Sequence, residues 1–201
     1  MSELERWETR YSAPGYAFGK EPNAFLKAQA HRLPAGGRAL SVADGEGRNG
    51  VWLAEQGLDV LAIDFSPTAL KKSRALAAER GVRLSSEVAD VTTWRWPTDA
   101  YDVIAAIFVQ FVTPVERSAL FANIKRALKP GGLLLMQGYR PKQLQYRTGG
   151  PQEADRMYTR PLLEAAFGDM AQIAIHEHDS VMNEGTSHVG MSALIDLVAK
   201  K

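Results

Sequence analysis

The sequence predicts an α/β protein: one open sheet of mostly parallel strands with helices on both faces. Three observations predict it. Apolar strand-like runs alternate with helical segments from about residue 39 to residue 136, the pattern of a parallel sheet with right-handed crossovers. A glycine-rich turn follows the first run, in Ala39-Leu40-Ser41-Val42-Ala43-Asp44-Gly45-Glu46-Gly47-Arg48-Asn49-Gly50. The last two runs, 173 to 180 and 190 to 199, are joined only through Met182-Asn183-Glu184-Gly185-Thr186. So short a link cannot cross over, and it makes the pair an antiparallel hairpin.

A chain of 201 residues that is 45% hydrophobic supports one well-packed domain and not two. We read 1–201 as that domain, with an N-terminal helical lid over 1–35 and a core over 36–201. Twenty-four Lys and Arg against 23 Asp and Glu leave a formal charge of +1, which gives no electrostatic case for nucleic acid or an anionic membrane. With no cysteine there is no disulfide framework, thiolate metal site or cysteine nucleophile. The acidic, amphipathic start and the lack of a long apolar run predict neither a signal peptide nor a membrane span, hence a cytoplasmic protein.

Residues 3 to 11 read as a short helix with Leu4, Trp7 and Tyr11 on one face. The aromatic and glycine-rich loop through Phe18 then reads as a cover that keeps water from a reaction centre. A second helix, about Asn23 to Leu33, turns Phe25, Leu26, Ala30 and Leu33 inward. After the first strand a helix stops at Gly57, and the strand Val60-Leu61-Ala62-Ile63 ends in Asp64. Ser66 caps the next helix with Pro67 at its first position, and that helix ends at Gly81. A third strand near 83–88 delivers Ala89-Asp90-Val91, and Tyr101 to Phe108 reads as a buried central strand. Thr113-Pro114-Val115-Glu116 is a capping box that opens a helix to Leu128, before Lys129-Pro130-Gly131-Gly132 and the strand Leu133 to Met136. The stretch from Gly138 to Pro151 is a long polar loop of the kind that carries function. Thr159 then caps a helix to Gly168.

Gly45, Gly47 and Gly50 satisfy G-x-G-x-x-G, and Asp64 stands 19 residues after Gly45, where a dinucleotide-type site places the carboxylate that binds ribose hydroxyls. A ribose-bearing cofactor is expected, with NAD(P) and S-adenosylmethionine as candidates.

The whole set resembles the class I S-adenosylmethionine-dependent methyltransferases. The parts that carry it are Gly45-Glu46-Gly47-Arg48-Asn49, Asp64, Ala89-Asp90-Val91, Tyr101-Asp102, Lys129-Pro130-Gly131-Gly132 and the closing hairpin. Trp7 to Phe25 and Gly47-Arg48-Asn49 with Leu53-Ala54 look like the small bacterial tellurite-resistance and thiopurine-type group. The resemblance implies a single-domain Rossmann-like seven-stranded sheet in the order 3-2-1-4-5-7-6, strand 7 antiparallel. It implies S-adenosyl-L-methionine as cofactor, held by Ala43, Gly45, Gly47, Asn49, Asp64, Phe65, Ser66, Ala89, Asp90, Val91 and Ile107, with S-adenosyl-L-homocysteine as product. Ser41 and Ala43 depart from the family, which often has an acid and a glycine there.

Methyl transfer needs alignment and water exclusion, and a base only for an acceptor that carries its proton. No base is evident. His31, His176, His178 and His188 read as structural, and His176-x-His178 lacks a third ligand for zinc, so no metal is expected. Trp7, Tyr11, Phe18, Gln110, Arg140, Tyr146 and Arg147 are the acceptor-side candidates, the two arginines for an anionic group. The expected partner is a small-molecule nucleophile such as a thiol or chalcogen oxyanion. The alternatives are a cofactor-binding protein without catalysis and an NAD-linked oxidoreductase. The oxidoreductase is disfavoured by the antiparallel terminal hairpin and by the absence of a hydride-transfer pair, Tyr139 and Lys142 being one residue too close for Tyr-x-x-x-Lys.

Overall fold

The computed structural model describes residues 2–201. Seven strands form one sheet: β1 (Arg38–Val42), β2 (Asp59–Asp64), β3 (Ser85–Val88), β4 (Tyr101–Ile107), β5 (Leu128–Tyr139), β6 (Gln172–Glu184) and β7 (His188–Lys200). They lie in the order β3-β2-β1-β4-β5-β7-β6. The first five are parallel, and β7 runs antiparallel to both β5 and β6, which is the expected arrangement.

Helices α1 (Glu3–Ser12), α2 (Ala24–Ala28), α3 (Arg48–Glu55), α4 (Pro67–Glu79), α5 (Pro114–Ala127), α6 (Gln143–Tyr146) and α7 (Arg160–Phe167) surround it. Strand alternation divides the apolar side chains between two layers. Leu40, Ile104, Leu134 and Leu197 pack with Phe121 and Ile124 of α5 and Leu163 and Phe167 of α7. Ala39, Val60, Val103 and Leu135 pack on the opposite face with Phe25 and Leu26 of α2 and Trp52 and Leu53 of α3. Ser66 and Thr113 cap α4 and α5 through the expected hydrogen bonds to Ala69 N and Glu116 N, and proline follows each cap. No described helix is long and apolar enough to cross a membrane.

Four expectations change. The second helix is only α2 followed by a 3₁₀ turn, Ala30–Arg32, so Ala30 is exposed rather than inward. Leu4 stays 41% exposed, and Tyr11 is the buried residue of α1. The long polar loop folds into α6 and a 3₁₀ turn, Ala154–Arg156. The hairpin is longer at its tip, so that Glu184 and His188 face each other across a turn of three residues.

Candidate active site

The carboxyl ends of β1, β2 and β4 and the tip of the β6–β7 hairpin enclose a cavity of about 440 Å³. A hollow of about 500 Å³ lies at the opposite edge, lined by Pro34, Asp102, Gly131 and Gln172. Ligands of open α/β sheets bind at the carboxyl ends of the strands, and only the first cavity meets the glycine turn.

The turn is conformationally demanding. Ala43, Gly45 and Gly47 all have positive φ, at 50°, 58° and 96°, a region costly for a residue with a Cβ. Gly45 N donates to Asp64 Oδ2 and Ser66 N to Asp64 Oδ1, each at 2.9 Å. Asp64 therefore fixes the turn as well as facing the cavity, and its burial raises its pKa to about 6. Asp44 Oδ1 accepts from Ser41 Oγ and Gly50 N, while its buried Oδ2 has no hydrogen-bond partner among the described residues. Burial pushes Asp44 to about 7. Asp44 is thus tied both to Ser41 at the end of β1 and to Gly50 in the first turn of α3.

Glu46 and Lys72 attach the N-terminal segment to this turn. Ala17 N donates to Glu46 Oε2 at 2.7 Å, and Lys72 Nζ reaches Glu46 and the carbonyls of Ala13 and Gly15. Trp7, Tyr11 and Phe18 line the cavity; Trp7 stacks on Tyr11 at 5.4 Å, with the Arg10 guanidinium 4.9 Å from its centre. Glu8 bonds Ser66 Oγ and Thr68, which seats α1 on the start of α4.

The far wall comes from the hairpin. His188 packs its ring against Phe18 and Phe108 at 4.5 and 4.6 Å, and its Nδ1 lies 3.6 Å from Glu184 Oε2. Burial lowers the His188 pKa, so the ring is neutral at neutral pH. Glu184 is held by Arg48 at 2.7 Å and by Asn23 Nδ2 and Ala24 N. The Tyr139 hydroxyl nearby is buried without a partner among the described residues. Phe108 reaches the cavity from a backbone at φ 58°, the kind of strain that gathers at functional sites.

Of the residues expected to hold the cofactor, Ala43, Gly45, Asn49, Asp64, Phe65 and Ile107 line the cavity. Five do not. A Cβ on Gly47 would lie 2.4 Å from Ser73 Oγ, so this glycine admits α4 and not a ligand. Ser66 is fully buried as the α4 cap. Val91 belongs to the core, and Ala89 and Asp90 border a separate shallow depression. Asp90 accepts from Thr92 N and Oγ1, an ordinary turn role. On the acceptor side Trp7, Tyr11, Phe18 and Gln110 line the cavity, although both ends of the Gln110 amide are held by the Tyr139 backbone. Arg140, Tyr146 and Arg147 lie elsewhere: Arg140 and Tyr146 bond Asp179, and Arg147 is the exposed left-handed cap of α6.

Sequence reasoning missed His188, Arg48, Tyr139 and Phe108 as cavity residues, and Glu184 as the carboxylate behind Arg48 and His188. Only the nearness of His188 to the hairpin turn could have raised it.

Residues 39–132 match a family model described as a methyltransferase domain, just under half of the chain. An uncharacterized protein of Mycobacterium bovis is 33% identical over 100 residues, 49% of this chain and 36% of that protein. The chain spans about a fifth to two fifths of the length of the curated relatives it matches. A solved structure that concerns the conversion of a disulfide bond into a thioacetal group during echinomycin biosynthesis has a TM-score of 0.74 at 18% identity, covering 100% of this chain and 92% of that one. TehB from Haemophilus influenzae has a TM-score of 0.71 at 13% identity, covering 98% and 66%. Both share the fold, including the segments outside the matched domain.

Proposed function

We propose that this chain is an S-adenosylmethionine-dependent methyltransferase whose acceptor is a small nucleophile that arrives with its proton, a thiol or an acidic hydroxyl. The observation that carries this reading is a single cavity with the Asp64-braced glycine turn at one end and His188 backed by Glu184 at the other. The match of residues 39–132 to a methyltransferase domain supports it.

The residues fit the cofactor. Asp44 lines the cavity beside the turn, and its carboxyl group offers negative charge to an ammonium group there. Each Asp64 oxygen accepts one backbone bond and keeps a lone pair for a ribose hydroxyl. Phe65 and Phe111, 13° from parallel with centres 6.1 Å apart, offer apolar faces to a base. When bound, the cofactor supplies an electrophilic methyl group on a sulfonium sulfur.

The chain then has two tasks. The rings of Trp7, Tyr11, Phe18 and Phe108 exclude water, and the N-terminal segment acts as the lid. His188 takes the acceptor's proton: with Nδ1–H turned to Glu184, Nε2 carries the lone pair, and the 3.6 Å gap is of the length that tightens on binding. Arg140 and Arg147 stand outside the cavity while Arg6, Arg10, Arg48 and Arg156 line it, so the preference for a protonated acceptor rests on His188 and not on a lack of cations.

Calorimetry with S-adenosylhomocysteine and with NAD tests the cofactor, and binding of NAD alone overturns the reading. A screen of thiols, phenols, selenite and tellurite, read as S-adenosylhomocysteine release, tests the acceptor. Turnover with thiols or phenols is expected, and binding without any turnover would leave a cofactor-binding protein.

A further inference from the structure

Alternation along β6 puts His176 and His178 on the same face of the strand. The antiparallel register then sets Asp196 of β7 directly beside His176. The two imidazoles lie 5.0 Å apart and 15° from parallel, and His178 Nε2 is 3.1 Å from Asp196 Oδ2. One ligand atom from each residue lies within 4.8 Å of the other two. The third ligand that the sequence did not reveal is thus delivered by strand pairing.

An outer layer already orients the three. Ser180 Oγ lies 2.7 Å from His178 Nδ1, which leaves Nε2 as the free coordinating atom. Gln137 Nε2 donates to Asp196 Oδ1 at 2.6 Å, which leaves Oδ2 facing the imidazoles. Gln137 is itself buried and held by Asn23. Partners of this kind fix ring tautomer and carboxylate orientation at metal centres. His176 is exposed and has no hydrogen bond among the described residues.

We propose that His176, His178 and Asp196 bind a divalent transition-metal ion, with Zn²⁺ as its occupant. Two imidazoles and one carboxylate are a zinc ligand set and a poor one for Mg²⁺ or Ca²⁺, which take oxygen ligands. The exposed side at His176 leaves the fourth position to water. On binding, the metal takes the place of the His178 Nε2 contact with Asp196, and the single proton of the neutral ring sits on Nδ1, where Ser180 Oγ accepts it. The ion then ties the edge strand β6 to β7, the hairpin that carries Glu184 and His188 at its far end, and its role is that of a clamp rather than a reaction centre.

The test uses the full chain freed of metal by dialysis against a chelator. Zn²⁺ is titrated by calorimetry and by thermal melting, with Mg²⁺ as the control. We expect one Zn²⁺ per chain, a raised melting temperature, and no response to Mg²⁺. Asp196→Asn, which keeps a carbonyl for Gln137, and His176→Ala each weaken Zn²⁺ binding at least about tenfold. His176→Ala leaves the metal-free melting temperature unchanged, and His31→Ala leaves the titration unchanged. An undiminished Zn²⁺ titration in His176→Ala, or an equal response to Mg²⁺, overturns the proposal.

Discussion

The two ends of the cavity are built differently. At the glycine turn the partners are neighbours in the chain: Ser41 with Asp44, Gly50 with Asp44, Ser66 with Asp64, and Gly45 with Asp64 only 19 residues on. At the hairpin wall they are distant: Asn23 and Ala24 meet Glu184 across 161 and 160 residues, and Thr186 meets Ala17 across 169. The matched methyltransferase domain covers the first end and stops at residue 132. The hydrogen-bonded frame of the cofactor end needs only β1, β2 and the turns and helices that follow them, whereas the acceptor end exists only after the whole sheet has formed. The wall is therefore where the acceptor would be selected, and substitutions there should separate turnover from cofactor binding.

The largest separation is expected for His188→Gln. Loss of a positioned base lowers the rate by about 10² to 10⁴, while the affinity for S-adenosylhomocysteine stays within a factor of about 2 because no residue of the glycine turn is touched. The loss should shrink as pH rises and the acceptor ionises by itself. A pH-independent defect would instead make His188 a packing residue between Phe18 and Phe108.

At the other end, Asp64→Asn should weaken S-adenosylhomocysteine binding by about 10- to 100-fold, the scale of a charge-assisted hydrogen bond. The pH dependence follows from burial, which lifts Asp44 to about 7 and Asp64 to about 6 from an ordinary 3.8. A folded pKa above the unfolded one stabilises the protein below the unfolded value, and that stability is lost as pH rises through the folded one. The free protein should thus lose stability between about pH 4 and pH 8. Affinity for S-adenosylmethionine should rise over pH 5 to 8, because its ammonium and sulfonium favour the ionised carboxylates. Thermal melts and calorimetry across that range should show the two opposite slopes, and parallel slopes would refute the pairing of cation with carboxylate.

Gly185→Ala probes the closure between hairpin and N-terminal segment. An added Cβ would lie 2.4 Å from Gly19 N and 2.5 Å from the Ala17 carbonyl, on a backbone already at φ 63°. We expect about 1–3 kcal/mol of destabilisation in chemical denaturation, together with a lower rate, since the displaced loop carries Phe18. Asp64 sits at the other end, so cofactor affinity should fall less than the rate.

This division also decides what could be read from the sequence. The caps at Ser66 and Thr113 and Asp64 at the end of β2 follow from short-range patterns, whereas the strand order is implied only by the family resemblance. Gly47 was legible as a necessary glycine but not for its reason, because Ser73 approaches from a helix two elements away. Arg140 and Arg147 carry the right charge on the right loop, yet Asp179 of β6 accepts the guanidinium of Arg140 and α6 turns Arg147 outward. His188 is the converse case. No local pattern marks it, and it becomes a cavity residue only through the register that pairs it with Glu184 and the loop that brings Phe18 over it. Asp196 beside His176 is the same lesson on the outer strands.

The smallest expected effect tests the local end alone. Ala43 sits at φ 50°, where a Cβ costs about 1–2 kcal/mol, and glycine would remove that strain. Glycine also frees the unfolded chain by about 0.4–1 kcal/mol, so Ala43→Gly should raise stability by only about 0.5 kcal/mol in denaturant titrations. Retention of alanine against that gradient fits a turn held rigid by Asp44 and Asp64, and loosening it should weaken cofactor binding slightly while leaving the rate at saturation unchanged. Destabilisation on Ala43→Gly would mean that the Ala43 methyl group, which packs on the main core cluster, contributes more than the backbone strain costs.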